Sequence, residues 1–85
     1  MNVSEDVKGV ISKVLKVPVD QLTLDTELQN IGAQSLEMIE IIFELEERFG
    51  INIPVPEQKE EGLEYETIGA VVQAVQRLTE MKSAA

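Results

Sequence analysis

Three separate stretches of this 85-residue chain repeat apolar side chains at the spacing of an α-helix, and stretches of that length are marginal helices in water unless they pack together. The fold must therefore bury these stripes against one another. In the first, Val7, Val10, Ile11, Val14 and Leu15 mark one face and predict a helix over 4–16, with Ser4 as N-cap and Pro18 ending it. Ile68, Val71, Val72, Val75 and Leu78 predict another over 68–81, capped by Thr67. Both stripes are rich in Val and Ile, which lowers helix propensity by a few tenths of a kcal/mol per residue, so packing has to hold them helical. The longest pattern runs from Ser35, read as a cap, to Phe49, and stops at Gly50. An all-α fold in a single domain, residues 1–85, is the expectation.

The connections are longer than helices of a small bundle usually need. Between the first two helices Leu22, Leu24, Leu28 and Ile31 are expected to pin the chain to the core. The segment from Gly50 to Glu66 holds Pro54, Pro56, Gly62 and an acidic run from Glu57 to Glu61. It has room for a short helical turn near 57–63, anchored by Leu63 and Tyr65, and the end at Ser83-Ala84-Ala85 is expected to fray.

Size and composition narrow the functions. A chain this short buries only about 60–65% of its unfolded surface, which leaves little room for a core and a deep catalytic cleft together. It has no Cys and no His, so thiol nucleophiles, disulfides, the usual zinc ligands and the best proton-transfer group near neutral pH are absent. Ser35 has no His to activate it, which excludes a serine hydrolase. Asp20, Asp25 and Glu27 do not fit a calcium-loop pattern. The net charge is −9, unfavourable for nucleic acid and anionic membranes and suited to basic proteins. With neither a secretory signal pattern nor an apolar run of the ~20 residues that span a bilayer, a cytoplasmic location is expected. The acid is local: residues 19–66 hold thirteen acids against Arg48 and Lys59.

Winding 35–49 at about 100° per residue puts Met38, Ile41, Ile42, Leu45 and Phe49 on one arc. Leu36, Ile39 and Phe43 fall on another, bordered by Glu37, Glu40, Glu44, Glu46 and Glu47. Two readings stand. The second arc lies beneath the preceding loop as ordinary core, or it is a carboxylate-rimmed patch that contacts a partner. Glu37/Glu40, Glu40/Glu44 and Glu44/Glu47 are like-charged neighbours costing roughly 0.2–0.5 kcal/mol each in an isolated helix, partly offset by an expected Glu44–Arg48 pair. A penalty without benefit to folding favours the patch.

Ser35, after Gly32-Ala33-Gln34, stands where the positive end of the helix projects, a location that favours an attached phosphate. The plainer role there is a capping hydroxyl. Residues 28–54, from Leu28 through Gly32, Ser35-Leu36, Glu46-Glu47-Arg48-Phe49-Gly50 and Ile51-Asn52-Ile53-Pro54, resemble the attachment segment of acyl carrier proteins, L-x-x-L-G-x-D-S-L, an acidic helix, then F-G-I-x-I-P. The likeness extends, more weakly, over most of the chain. It implies a four-helix up-down bundle with a short or irregular third helix. It implies too that Ser35 carries 4′-phosphopantetheine, installed from coenzyme A by a separate phosphopantetheinyl transferase, and that the chain holds acyl groups as thioesters and is not itself an enzyme. By position, Gln34, Leu36, Glu37, Ile39, Glu40, Phe43, Glu46 and Glu47 inherit the partner-binding role. The implied partners are acyl-loading, ketosynthase-type or acyltransferase enzymes with basic docking surfaces in fatty acid, polyketide or related biosynthesis, met by a monomeric carrier.

Three departures point to a specialised member of that family. Gln34 replaces the usual Asp before the Ser and removes a charge there. The segment 54–67 is a few residues longer than in common fatty-acid carriers. Phe43 is bulkier than the Met or aliphatic usual at its position. Gln34 also supports the alternative of an unmodified acidic interaction module related to carriers.

Overall fold

The computed structural model describes residues 2–53 and 66–84, with the backbone alone at Ser35, Ser83 and Ala84. Helix α1 spans Val3–Leu15, α2 Ser35–Phe49 and α3 Ile68–Ala84. The expected turn at 57–63, with Leu63 and Tyr65, lies outside the described residues.

α1 starts earlier than its apolar stripe indicates. Asn2 is extended (φ −112°, ψ 107°) and its Oδ1 accepts from the Glu5 N–H at 3.2 Å, so Asn2 is the cap and Ser4 lies inside the helix. The other end comes one residue sooner than expected, because Lys16 turns left-handed (φ 59°, ψ 46°) and donates its N–H to the Ser12 carbonyl at 2.8 Å. Thr67 does cap α3, its Oγ1 accepting from the Ala70 N–H at 3.1 Å. α3 continues to Ala84, past the predicted end at 81. No Pro or Gly follows Leu78 to stop it.

The long first connection holds two 3₁₀ turns, Val19–Gln21 and Leu28–Ile31. Leu22 and Leu28 enter the core, and Ile31 packs at its edge. Leu24 does not: it is 48% exposed. What residue 24 contributes is backbone. Its carbonyl accepts from the Gly69 N–H at 2.9 Å, the Thr26 carbonyl accepts from Ile68 at 3.0 Å, and Leu28 donates to the Glu66 carbonyl at 2.9 Å. A single antiparallel bridge joins Glu27 to Thr67 within this ladder. The connection is therefore zipped to the start of α3 by hydrogen bonds as well as held by Leu side chains.

Val7, Val10 and Ile11 of α1, Ile41, Ile42 and Leu45 of α2, and Ile68, Val71, Val72 and Val75 of α3 form one core with Leu22, Leu28, Ala33, Ile51 and Ile53. α1 lies against both other helices. Among the described residues no charged or polar side chain is buried, so stability here comes from apolar burial. None of the described helices is long and apolar enough to cross a membrane.

Candidate functional site

The start of α2 is built by the residues before it. Gly32 turns left-handed (φ 95°), Ala33 is buried with its N–H on the Leu28 carbonyl at 3.0 Å, and Gln34 is extended (φ −97°, ψ −165°). The Gln34 carbonyl accepts the first helical bond, from Met38 at 2.8 Å. Gln34 is thus the cap, and Ser35, expected as the cap, is the first helical residue. Glu37 closes the turn by accepting from the Gln34 N–H at 3.1 Å. Residue 35 lies between exposed Gln34 and Leu36. The first-turn N–H groups there have no carbonyl of their own helix to meet and present the positive end of α2. A helix start flanked by exposed neighbours is a place fit for an attached phosphodiester. With no Cys in the chain, its own side chains offer no thiol there.

Along α2 the two arcs separate as the winding predicts. Ile41 and Leu45 are fully buried and Ile42 nearly so, while Met38 and Phe49 pack at the core edge. Leu36 is 63% and Phe43 56% exposed, which excludes the reading that they lie beneath the preceding loop. Ile39 is half-buried. Leu36, Glu40, Phe43 and Glu47, spaced four, three and four residues apart, fall on one exposed row, about 16 Å long at 1.5 Å per residue.

The acids of α2 differ in what they meet. Glu44 reaches across to Lys13 of α1 at 3.5 Å, and Arg48 to Asp6 at 3.8 Å. The expected Glu44–Arg48 pair is replaced by these two cross-helix pairs, because α1 brings an opposite charge within reach of each. Both are exposed and contribute at most about 1 kcal/mol each. Glu46 Oε2 accepts from the Ile53 N–H at 2.8 Å. Among the described residues no ion pair involves Glu40 or Glu47. At the far end of α2, Phe43, Glu46, Glu47, Gly50, Ile51 and Asn52 line an open groove of about 520 Å³.

Residues 5–75 match the family described as "Phosphopantetheine attachment site". The acyl carrier protein of Helicobacter acinonychis is 46% identical over 55 residues, 64% of this chain and 70% of that one. This chain belongs to the acyl carrier protein family. The Helicobacter pylori (strain G27) acyl carrier protein is 42% identical over the same lengths. Methylphloroacetophenone synthase of Cladonia uncialis is 36% identical over 59 residues, which are 69% of this chain and 2% of the synthase. A holo acyl carrier protein from Nitrosomonas europaea, solved in solution by NMR, has the same fold: TM-score 0.73 and 26% identity, with all of both chains covered. The carrier is thus a non-catalytic protein whose cofactor is covalent phosphopantetheine. That group supplies the thiol on which acyl chains ride as thioesters.

Two features of this end of the molecule have no signal in the sequence. One is the internal partner of Glu46. The other is Lys82 of the extended α3, whose Nζ lies 2.7 Å from where a Cβ on Gly50 would stand, a cation beside the negative end of α2. Helical periodicity orders residues around one axis and does not say which carbonyls or amides a neighbouring segment brings.

Proposed function

We propose that Ser35 bears the 4′-phosphopantetheine arm and that enzymes with basic surfaces dock on the exposed row of α2. The observation that carries this reading is the place of residue 35: first in α2, between two exposed neighbours, at the helix end whose dipole and N–H groups favour a phosphodiester. Leu36, Glu40, Phe43 and Glu47 offer partners an apolar contact alternating with acid, with Gln34, Glu37 and Ile39 beside it. Charge draws a basic enzyme in, and the apolar groups hold it once docked. The carrier itself makes no bond; it supplies high effective concentration of its cargo to each enzyme.

In this reading the chain is a single domain over 1–85, a four-helix up-down bundle with a short or irregular third helix, and works in the cytoplasm in fatty acid, polyketide or related synthesis. Its partners are a phosphopantetheinyl transferase and acyl-loading, ketosynthase-type or acyltransferase enzymes. Incubating the apo-protein with coenzyme A and a permissive transferase, then weighing it, is the test. One added phosphopantetheine, absent in Ser35→Ala, is the expected result. No addition to the parent chain, or an addition that survives Ser35→Ala, overturns it.

Gln34 favours a second reading, because it puts a neutral cap where the family usually has Asp. A relative that docks through α2 without ever receiving the arm fits that substitution. Protein from its own cell showing the bare mass while still binding a partner would select it.

A further inference from the structure

One residue holds three amides of the turn that follows α2. The Glu46 carbonyl accepts from the Gly50 N–H at 2.8 Å and from the Ile51 N–H at 3.3 Å, and the Glu46 carboxylate accepts from the Ile53 N–H at 2.8 Å. The first two bonds are the ordinary closure of a helix on a left-handed residue, here Gly50 at φ 66°. The third is not. It is made by a side chain, across seven residues, in a partly buried setting, to the amide of a buried core residue. An N–H shielded from water and left without an acceptor is destabilising, so this part-buried bond favours the arrangement in which the Ile53 side chain stays in the core.

The turn so held is also a wall of the groove beside Phe43, since Gly50, Ile51 and Asn52 line it together with Phe43, Glu46 and Glu47. We infer that Glu46 is a positioning residue: its carboxylate ties Ile53 down, keeps Ile51 and Ile53 in the core and Asn52 at the surface, and so sets the shape of the docking face next to Phe43. Its negative charge is not what a partner reads. Among the acids of α2 bordering Phe43, Glu40 and Glu47 stand exposed without an ion pair among the described residues, whereas the Glu46 carboxylate already has a donor at hydrogen-bonding distance. The part of this inference that concerns partners rests on the carrier reading above; the part that concerns Ile53 does not.

Glu46→Gln keeps an acceptor oxygen at the same reach and removes the charge. Glu46→Asp keeps the charge and shortens the reach by one methylene. Hydrogen exchange of the Ile53 amide, followed by NMR in the full chain, and KM for the carrier in transferase-catalysed loading from coenzyme A read the two roles separately. For a positioning residue, Glu46→Asp speeds Ile53 exchange at least about tenfold and raises KM several-fold, while Glu46→Gln stays within about twofold of the parent in both, a tenfold change being about 1.4 kcal/mol. Glu47→Gln, which removes a charge from the docking row, raises KM and weakens its salt dependence with Ile53 protection unchanged. If instead Glu46→Gln raises KM as Glu47→Gln does while Glu46→Asp behaves as the parent, Glu46 is a docking charge and the inference is wrong. It is also wrong if Ile53 exchanges alike in all the Glu46 variants. A parent chain that accepts no phosphopantetheine defeats the carrier reading and leaves the exchange measurement to decide the positioning role.

Discussion

Leu45 and Phe43 are two residues apart on the same helix, yet they do opposite work. Leu45 is fully buried, and Phe43 has more than half its surface in water. Leu45→Ala therefore leaves a cavity and is expected to destabilise the fold by about 2–5 kcal/mol. Phe43→Ala is expected to change folding by less than about 1 kcal/mol, because most of that ring gains little from the fold. If enzymes dock on the exposed row of α2 as proposed, the order reverses at that interface. A buried aromatic anchor contributes on the order of 2 kcal/mol, so Phe43→Ala should weaken partner binding more than tenfold. Urea midpoints and partner Kd for the two variants check this together; equal loss of folding stability would place Phe43 in the core. The sequence separates the two arcs of α2 by angle alone. It leaves open whether Leu36 and Phe43 are covered, because what covers a helix face is another segment, and only the packed chain places that segment.

Element ends are where the sequence reads least well, and the reason is local. Asn2, Ser4, Gln34 and Ser35 are all residues that can end a helix, and the choice depends on which one holds extended dihedrals. At the end of α1, Lys16 is left-handed without being Gly, a conformation that disfavours a Cβ by roughly 1 kcal/mol. Lys16→Gly is therefore expected to raise stability by about 0.5–1 kcal/mol, seen as a higher urea midpoint. Gly69 is the reverse case. As a helical residue it would gain up to about 1 kcal/mol from Ala. Yet a Cβ there would stand 2.9 Å from the Leu24 carbonyl oxygen, which also accepts the Gly69 N–H. That oxygen is backbone and cannot step aside without opening the ladder between the first connection and α3. The clash outweighs propensity, and Gly69→Ala should lower stability by about 1–2 kcal/mol. A gain in melting temperature would show that the ladder yields easily.

At the scale of the whole molecule the charge dominates. The chain carries −9, concentrated between residues 19 and 66, and the two cross-helix ion pairs among the described residues relieve little of that repulsion. Raising salt from about 0.01 M to 0.15 M shortens the screening length from about 30 Å to 8 Å. Folding stability should rise over this range as self-repulsion is screened. Association with a basic enzyme should slow over the same range, since long-range attraction is screened too. Thermal melts and stopped-flow association rates at matched salt concentrations give the two slopes, which are expected to have opposite signs. A stability that falls with added salt would mean that the cross-helix pairs outweigh the repulsion.

By itself the sequence determined that the chain is helical, roughly where the three long helices among the described residues run, that its own side chains offer no thiol or imidazole, and which family its attachment segment resembles. Each of these follows from residue types at short, regular spacings, which local physics and motif spacing make readable. The tertiary structure alone decided that Leu36 and Phe43 face water, that Leu24 works through its carbonyl, and that Glu44 and Arg48 turn to α1. It also decided that the Glu46 carboxylate faces inward to the Ile53 amide. The Leu24 and Glu44/Arg48 contacts depend on a segment distant in sequence arriving within a few ångströms, the exposure of Leu36 and Phe43 on no segment covering them, and the Glu46 bond on how the chain turns after Gly50, none of which a one-dimensional pattern records.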